Sequence, residues 1–409
     1  MRTMFAETSP CHWTKLVESD LSVDRFWDRI DGCRLRYRKV PVRFFREDPY
    51  WSLLATYVLG DGDLTRHSQV RFFDNEKETL KTISDVFAKR YGYSFPEPVF
   101  EENQYGRGQW IIRTRHAAIH FVLSEYFNVP IGRKKLTSTI SSRVAFSKNL
   151  EVKYAALAAM FSSDGYVNCN RRDGRFSVSV CLLTAVSGVK VRTAASMLRQ
   201  LGFHPFISAS TFYNPLSHRE TTAYAVVVNR HAEVVELFFR LFPYLVKPSR
   251  TKRWMEFISD PDFYTRIRLR SSSSRLFLRK AAIEIAGNSY RYLHVLVSIA
   301  REQGMEISRW GGVKHWTNTN GCSIPLNMLV QCCNIVQEDV FDAIPPEFGG
   351  LLWLQGIISY RRLVTLRGVE PLLHLDNLAS TIKNARAVGL FDERNKPPLI
   401  PYPERRKCR

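Results

Sequence analysis

Leu157-Ala158-Ala159-Met160-Phe161-Ser162-Ser163-Asp164-Gly165 decides the fold, because the chain carries a second copy of it. The earlier copy reads Leu54-Ala55-Thr56-Tyr57-Val58-Leu59-Gly60-Asp61-Gly62. Both open with Leu-Ala and close with Asp-Gly, and they stand 103 positions apart, the span of a small domain. Leu54, Ala55, Val58 and Leu59 recur at helical spacing, as do Ala155, Ala158, Ala159 and Phe161, so each copy predicts a buried helix. Ala and Thr on the contact face let two helix backbones approach closely. Gly62 and Gly165 predict a left-handed residue that ends each helix. Asp61 and Asp164 then sit at helix C-termini, where the macrodipole is already negative. A carboxylate is poorly placed there unless a cation or a proton joins it. If the helices pack side by side in parallel, the two carboxylates become neighbours that share a proton or bind a divalent cation. For one copy alone, a helix cap followed by a turn is the better reading of Asp-Gly. Two copies with matching ends favour the paired reading.

These residues resemble the motif that names the LAGLIDADG homing endonucleases, in the single-chain form with two motif copies. The match lies at Leu, Ala, Asp and Gly in both copies, and the middle residues are similar only in character. The resemblance implies an α+β fold of two pseudo-symmetric αββαββα half-domains, with the motif helices at their interface and the strands forming a β-saddle over duplex DNA. It implies that Asp61 and Asp164 are the catalytic, metal-binding acids, with Mg²⁺ (or Mn²⁺) as cofactor. The carbonyls of Gly60 and Ser163 are further candidate ligands, since carbonyls at a helix C-terminus lack internal partners. Two Asp, carbonyls, waters and DNA phosphates suit the octahedral oxygen preference of Mg²⁺.

The composition agrees with a polyanionic partner. The chain has 409 residues, 45% hydrophobic and 24% charged, which is ordinary for a globular protein with two or three cores. Its net charge of +20 is not ordinary and points first to nucleic acid. No apolar run reaches the roughly 20 residues that span a bilayer, and Met1–Pro10 lacks a secretory core. The expected location is therefore intracellular, in cytoplasm, nucleoid or an organelle with its own genome, with no membrane partner. Cys11, Cys33, Cys169, Cys181, Cys322, Cys332, Cys333 and Cys408 form no Cys-x-x-Cys pair, which suits free thiols in a reducing compartment. The ten His are equally scattered, against a structural zinc site.

The order of elements repeats. Residues 1–48 read as a basic N-terminal extension, 49–150 as a first half-domain, 151–268 as a second, and 269–409 as a helical C-terminal domain. After the first motif come a strand over Leu64–Phe73, a helix over Glu76–Tyr91, strands at Glu97–Glu101 and Gln109–Arg115, and a helix over His116–Phe127. After the second come a strand at Arg175–Leu182, a helix over Val189–Leu201, strands at Phe206–Phe212 and Thr221–Val228, and a helix over His231–Leu245. His116-Ala117 and His231-Ala232 mark the same point in each copy. Beyond a Ser271–Ser274 linker or cap, helices are predicted at Arg275–Ala286, Tyr290–Gln303, Leu326–Val336 and Leu375–Val388. A polar Ser308–Gly321 lies among them, in proportions loosely like a helix-turn-helix domain or a plain packing module. Glu404–Arg409 reads as a basic tail.

Strand cations and basic runs are the candidate nucleic-acid contacts: Arg66, Arg71, Gln109, Arg113, Arg115, Arg133, Lys134 and Lys135 in the first copy. Arg171, Arg172, Arg175, Lys247, Arg250, Lys252 and Arg253 are those of the second. One departure from the family stands out. Where its active members set a basic residue, this chain has Phe72-Phe73-Asp74-Asn75 and Cys181-Leu182-Leu183-Thr184. Lys77 and Lys190 lie nearby, but on the following helices, and Arg66 and Arg71, or Arg175, are the candidate substitutes. The expected function is a site-specific, metal-dependent DNA endonuclease, a monomer with internal pseudo-twofold symmetry. The alternatives are an RNA-binding maturase that helps an intron splice and a non-catalytic DNA-binding regulator. Phosphate loops, dinucleotide fingerprints and a Gly-x-Ser-x-Gly elbow are missing from the sequence.

Overall fold

The computed structural model describes residues 47–367, apart from short segments at 92, 103–107, 117–118, 121, 133–137, 173–174, 215–218, 259–266, 288–290, 306–309 and 320–322. The predicted N-terminal extension up to residue 46, the run Arg133–Lys135, the helix at Leu375–Val388 and the terminal basic tail thus lie outside the described residues. Within them the chain is α+β with antiparallel sheets. No helix among the described residues is long and apolar enough to cross a membrane.

Helix α1 (Pro49–Asp61) starts at Asp48, whose carboxylate accepts from Tyr50 N at 2.8 Å, with Pro49 at the first position, where its missing N–H costs nothing. Every residue from Tyr50 to Leu59 is buried, so the helix is apolar all round and lies in the middle of its unit. Strands β1 (Gly62–Leu64) and β2 (Val70–Asp74) follow, then α2 (Lys77–Tyr91), β3 (Val99–Glu102) and β4 (Gly108–Thr114). The single strand predicted over Leu64–Phe73 is a hairpin, because Thr65 and Gln69 close a turn with Ser68 at φ 55°. The four strands pair antiparallel in the order β1-β2-β4-β3. Trp51, Phe72, Phe87 and Phe95 interlock edge to face under this sheet, with centroids 5.1–5.4 Å apart. Within the helix predicted over His116–Phe127, Ile119 and His120 are α-helical, with His120 N donating to His116 O at 3.0 Å, and the segment widens to a π-helical turn at Val122–Tyr126, followed by Asn128 at φ 55°.

The second copy repeats the plan. After α3 (Ser142–Ala145), α4 (Leu150–Asp164) is again buried through its length, from Val152 to Ser163. Then come β5 (Tyr166–Arg172), β6 (Arg175–Ala185), α5 (Gly188–Gln200), β7 (Phe206–Asn214) and β8 (Arg219–Val228), in the sheet order β5-β6-β8-β7. Helix α6 (His231–Leu241) stops short of the predicted Leu245. Pro243 cannot donate the next helical bond, and Phe242–Tyr244 tightens into a 3-10 turn.

By compactness the chain forms two units: 1–166, 180–228 and 244–251 in the first, and 167–179, 229–243 and 252–409 in the second. The closing helix of the second copy therefore groups with the C-terminal helices. In this second unit buried Glu236 of α6 accepts from Leu351 N at 3.1 Å and from Arg240 Nε at 2.5 Å, and Phe239 meets Trp353 edge-on. Helices α7 (Pro248–Ile258), α8 (Ser272–Ile285), α9 (Tyr292–Glu302), α10 (Trp310–Asn318), α11 (Leu326–Val336), α12 (Val340–Ala343), α13 (Gly349–Leu354) and α14 (Tyr360–Arg367) complete the order; α7 begins in the first unit. Ser271 caps α8, accepting from Ser274 N. The polar stretch Ser308–Gly321 contains α10. Cys181, Cys332 and Cys333 are free buried thiols, and burial pushes the last two up to about 12.

His116 carries a testable consequence. It is buried, its Nδ1 accepts from Ile119 N at 3.4 Å, and burial lowers its pKa from 6.5 to about 4. Between those values the unfolded chain binds a proton that the native ring refuses, so stability falls as pH drops below about 6.5 and levels off below about 4. The expected loss between pH 7 and pH 5 is about 2 kcal/mol. Urea midpoints at the two pH values should show it, and His116→Gln should flatten the difference.

Candidate functional site

The two buried helices of the first unit run side by side in the same direction. At their N-terminal ends Ser52 Oγ donates to Val152 O at 2.9 Å, and Asn149 Nδ2 donates to Glu47 O at 2.9 Å. At their C-terminal ends Gly60 abuts Ser163, so that a Cβ on Gly60 would lie 2.7 Å from Ser163 Cβ and 3.6 Å from Asp164 Oδ2. Contacts at both ends with a constant offset of 100 to 103 positions define a parallel pair. The tips that carry Asp61 and Asp164 thus meet at one edge of the helix pair. Both acids are half-buried, with the Asp164 side chain 31% exposed.

The glycines act differently from the sequence expectation. Gly62 has φ −154° and Gly165 φ −88°, so neither is left-handed. They are required because nothing larger fits. A Cβ on Gly62 would sit 2.6 Å from Arg71 O, and one on Gly165 2.7 Å from Phe161 Cα and 2.8 Å from Cys181 O. The second strand after each motif, β2 or β6, passes against the helix tip, and the missing side chain permits it.

Gly60→Ala is accordingly expected to wedge the tips apart. Ala gains up to about 1 kcal/mol of helix propensity, but overpacking against the Ser163 side chain costs about 1–3 kcal/mol. Thermal unfolding should show a net loss, and adding Ser163→Gly, which removes the obstructing atoms, should restore the melting temperature. Unchanged stability in Gly60→Ala would mean that the tips are not in contact.

Charged groups crowd the rear of the tips. Lys190, nearly buried, brings its ammonium to 3.5 Å from Asp164 Oδ2. It does so from the first turn of α5, whose N-cap Ser187 accepts from Lys190 N and donates to Ser138 O. Lys190 thus reaches the site from the helix rather than from the strand, where the family resemblance places a basic residue. The N-cap Ser187 was the available signal, since it fixes the frame that turns residue 190 inward. At the strand position stands Cys181, whose thiol burial pushes up, with the nearby Asp164 charge adding to the effect. Lys77, the first-copy counterpart, stacks on the Trp110 ring at 4.8 Å.

Two cations assigned to phosphate binding turn inward instead. Lys247, 7% exposed, binds the fully buried Asp74 at 2.8 Å and Asn75 Oδ1 at 2.7 Å. Asp74 also accepts from Tyr57 OH at 2.7 Å and from Glu76 N. Burial holds the Tyr57 phenol well above its ordinary value, with the Asp74 and Asp61 charges pushing the same way. Arg250 Nη1 donates to Phe161 O and Ser162 O at 2.7 Å, satisfying two end carbonyls of α4 and opposing its negative dipole end. Lys247 is thus buried against Asp74, and a buried cation cannot leave its partner cheaply, while the half-buried Arg250 is engaged by the α4 carbonyls.

The other candidates fall into three groups. Arg71 and Arg113 face each other across β2 and β4, each held by an acid, Asp63 and Glu101 respectively. Gln109 lies opposite Glu101 on the same sheet, while Arg66 and Arg115 are exposed. Arg171 and Arg172 lie on β5 and Arg175 on β6. Lys252 and Arg253 are exposed on α7 in the second unit, Lys252 within 4.0 Å of Glu256.

For a metal ion the donor set is two carboxylates and neighbouring carbonyls. Among the described residues no three His, Cys, Asp or Glu side chains converge, so they hold no all-protein cage of such groups. Two carboxylates at the end of a helix pair suit Mg²⁺, which keeps several waters and takes phosphate oxygens as ligands. Fold and site together describe a class: an internally duplicated α+β chain with paired acidic helix tips backed by Lys190. No protein-family model matches this chain, and no curated protein matches it significantly in sequence.

Proposed function

We infer that this chain is a LAGLIDADG-type endonuclease that hydrolyses duplex DNA at a specific site. One observation carries the reading: two parallel buried helices of the duplicated unit bring their acidic tips together, with Gly60 against Ser163 beside the Asp164 carboxylate. A protein that only bound DNA would have no use for two carboxylates facing a polyanion. A net charge of +20 and the repeated strand order support a saddle of strands laid on the duplex.

Asp61 and Asp164 would hold Mg²⁺ or Mn²⁺, which when bound supplies an activated water and neutralises the charge that develops at phosphorus. Lys190 steadies the Asp164 carboxylate and keeps positive charge next to the scissile phosphate. Arg250 fixes the last turn of α4, so that the Asp164 backbone does not recoil when phosphate approaches. Arg66 and Arg115, exposed on the first copy, contact the sugar-phosphate backbone, and Arg71, Arg113 and Gln109 reach toward base edges.

A randomised plasmid library incubated with the full chain and Mg²⁺ tests the reading. Linear product at a recurrent sequence is expected, and EDTA should abolish it. No cleavage of any member with either Mg²⁺ or Mn²⁺, alongside tight binding of structured RNA, would replace the endonuclease by an RNA-binding protein.

A further inference from the structure

Strands β3 and β7 occupy the same place in the two sheets, each at an outer edge. They are built differently. β3 has four residues, two of them Glu101 and Glu102, and Glu101 is held by Arg113. Short length and charge are how proteins keep an edge from pairing with a stranger. β7 has nine residues, pairs with β8 without a bulge from Phe206 to Asn214, and carries no charge from Phe206 to Tyr213. All residues from Phe206 to Phe212 are exposed, including Phe206 at 43% and Phe212 at 46%. The first sheet protects this edge, whereas among the described residues no strand pairs with the outer edge of β7.

The sequence of the open edge indicates its occupant. Phe206-Ile207-Ser208-Ala209-Ser210-Thr211-Phe212 reads nearly the same in both directions about Ala209, with Ser, a β-branched residue and Phe on either side. We propose that two copies of this chain pair antiparallel through β7, about a two-fold axis at Ala209. In that register Phe206 lies opposite the partner's Phe212, Ile207 opposite the partner's Thr211, and Ser208 opposite the partner's Ser210. Each cross-strand pair then joins like with like, and the isologous contact closes at two copies. Pro205, which has no N–H, ends the ladder on one side. The dimer stands in place of the monomer expected from the internal repeat, and it does not depend on the endonuclease reading.

Charge gives the association a signature. Each copy carries +20, so repulsion opposes pairing and added salt strengthens it. Nucleic-acid binding by the same cations weakens with salt. Sedimentation of the full chain at up to about 100 μM, in about 0.15 M and about 0.5 M NaCl, reads the difference. A dimer that tightens with salt is expected. Ala209→Lys and Ala209→Glu, both on the exposed edge, should each weaken dimerisation at least about tenfold without altering circular dichroism. An equimolar mixture of the two should recover it, because residue 209 meets itself only on a two-fold axis. A monomer under every condition, variants that dimerise like the parent, or a mixture that stays monomeric would each overturn the proposal.

Discussion

Asp61→Asn is expected to remove Mg²⁺-dependent nicking by a factor on the order of 10³, while duplex affinity at fixed salt stays within about threefold. The amide keeps the shape and the helix but loses the charge that would hold a divalent ion. Affinity is expected to hold or rise slightly, since a carboxylate facing phosphate opposes binding. Asp164→Asn should abolish nicking equally, yet it also leaves the nearly buried Lys190 without its partner acid. Some loss of stability should therefore accompany that variant and not Asp61→Asn. Supercoiled-to-nicked conversion, measured next to filter binding and thermal unfolding, separates the two effects. If Asp61→Asn nicks at the parental rate, the acidic tips are not the chemical centre.

Lys247→Met is expected to cost about 3–5 kcal/mol of stability, the usual result of stranding one member of a buried ion pair. Asp74 is fully buried, and Lys247 supplies its only cationic bond within 3 Å among the described residues. The remaining Tyr57 and Glu76 bonds do not offset a whole negative charge in that environment. Asp74→Asn combined with Lys247→Met removes both charges and should recover most of the loss. Urea denaturation of the four proteins in the cycle measures this. A single variant within about 0.5 kcal/mol of the parent would show that Lys247 is not committed to Asp74.

Much of the architecture was legible in the chain, because duplication writes the same pattern twice. Helices α1, α2, α4, α5 and α11 fall where apolar spacing puts them, and β7 and β8 follow their turn signals. The failures have local causes. Pro243 shortens α6, Ser68 folds one predicted strand into a hairpin, and the helical segment after β4 widens to a π turn at its end. The motif glycines were assigned to handedness, but steric closeness explains them, and only the three-dimensional path of the next strand reveals that. Lys247 and Arg250 looked like surface cations because a basic run has no sign of burial in its spelling. Their partners, Asp74 and the end of α4, lie 88 to 173 positions away. Lys190 was legible only through its cap.

The bond between Lys247 and Asp74 also bears on how this protein is made. Ribosomes deliver Asp74 long before Lys247, and 173 positions of chain must emerge between them. Both motif helices are complete during that interval, yet the nascent molecule still holds an uncompensated acid beneath its first sheet. Truncations placed anywhere before residue 247 should therefore yield aggregation-prone fragments rather than a working half, and engineers seeking a split version would do better to supply the 244–251 segment with the N-terminal piece.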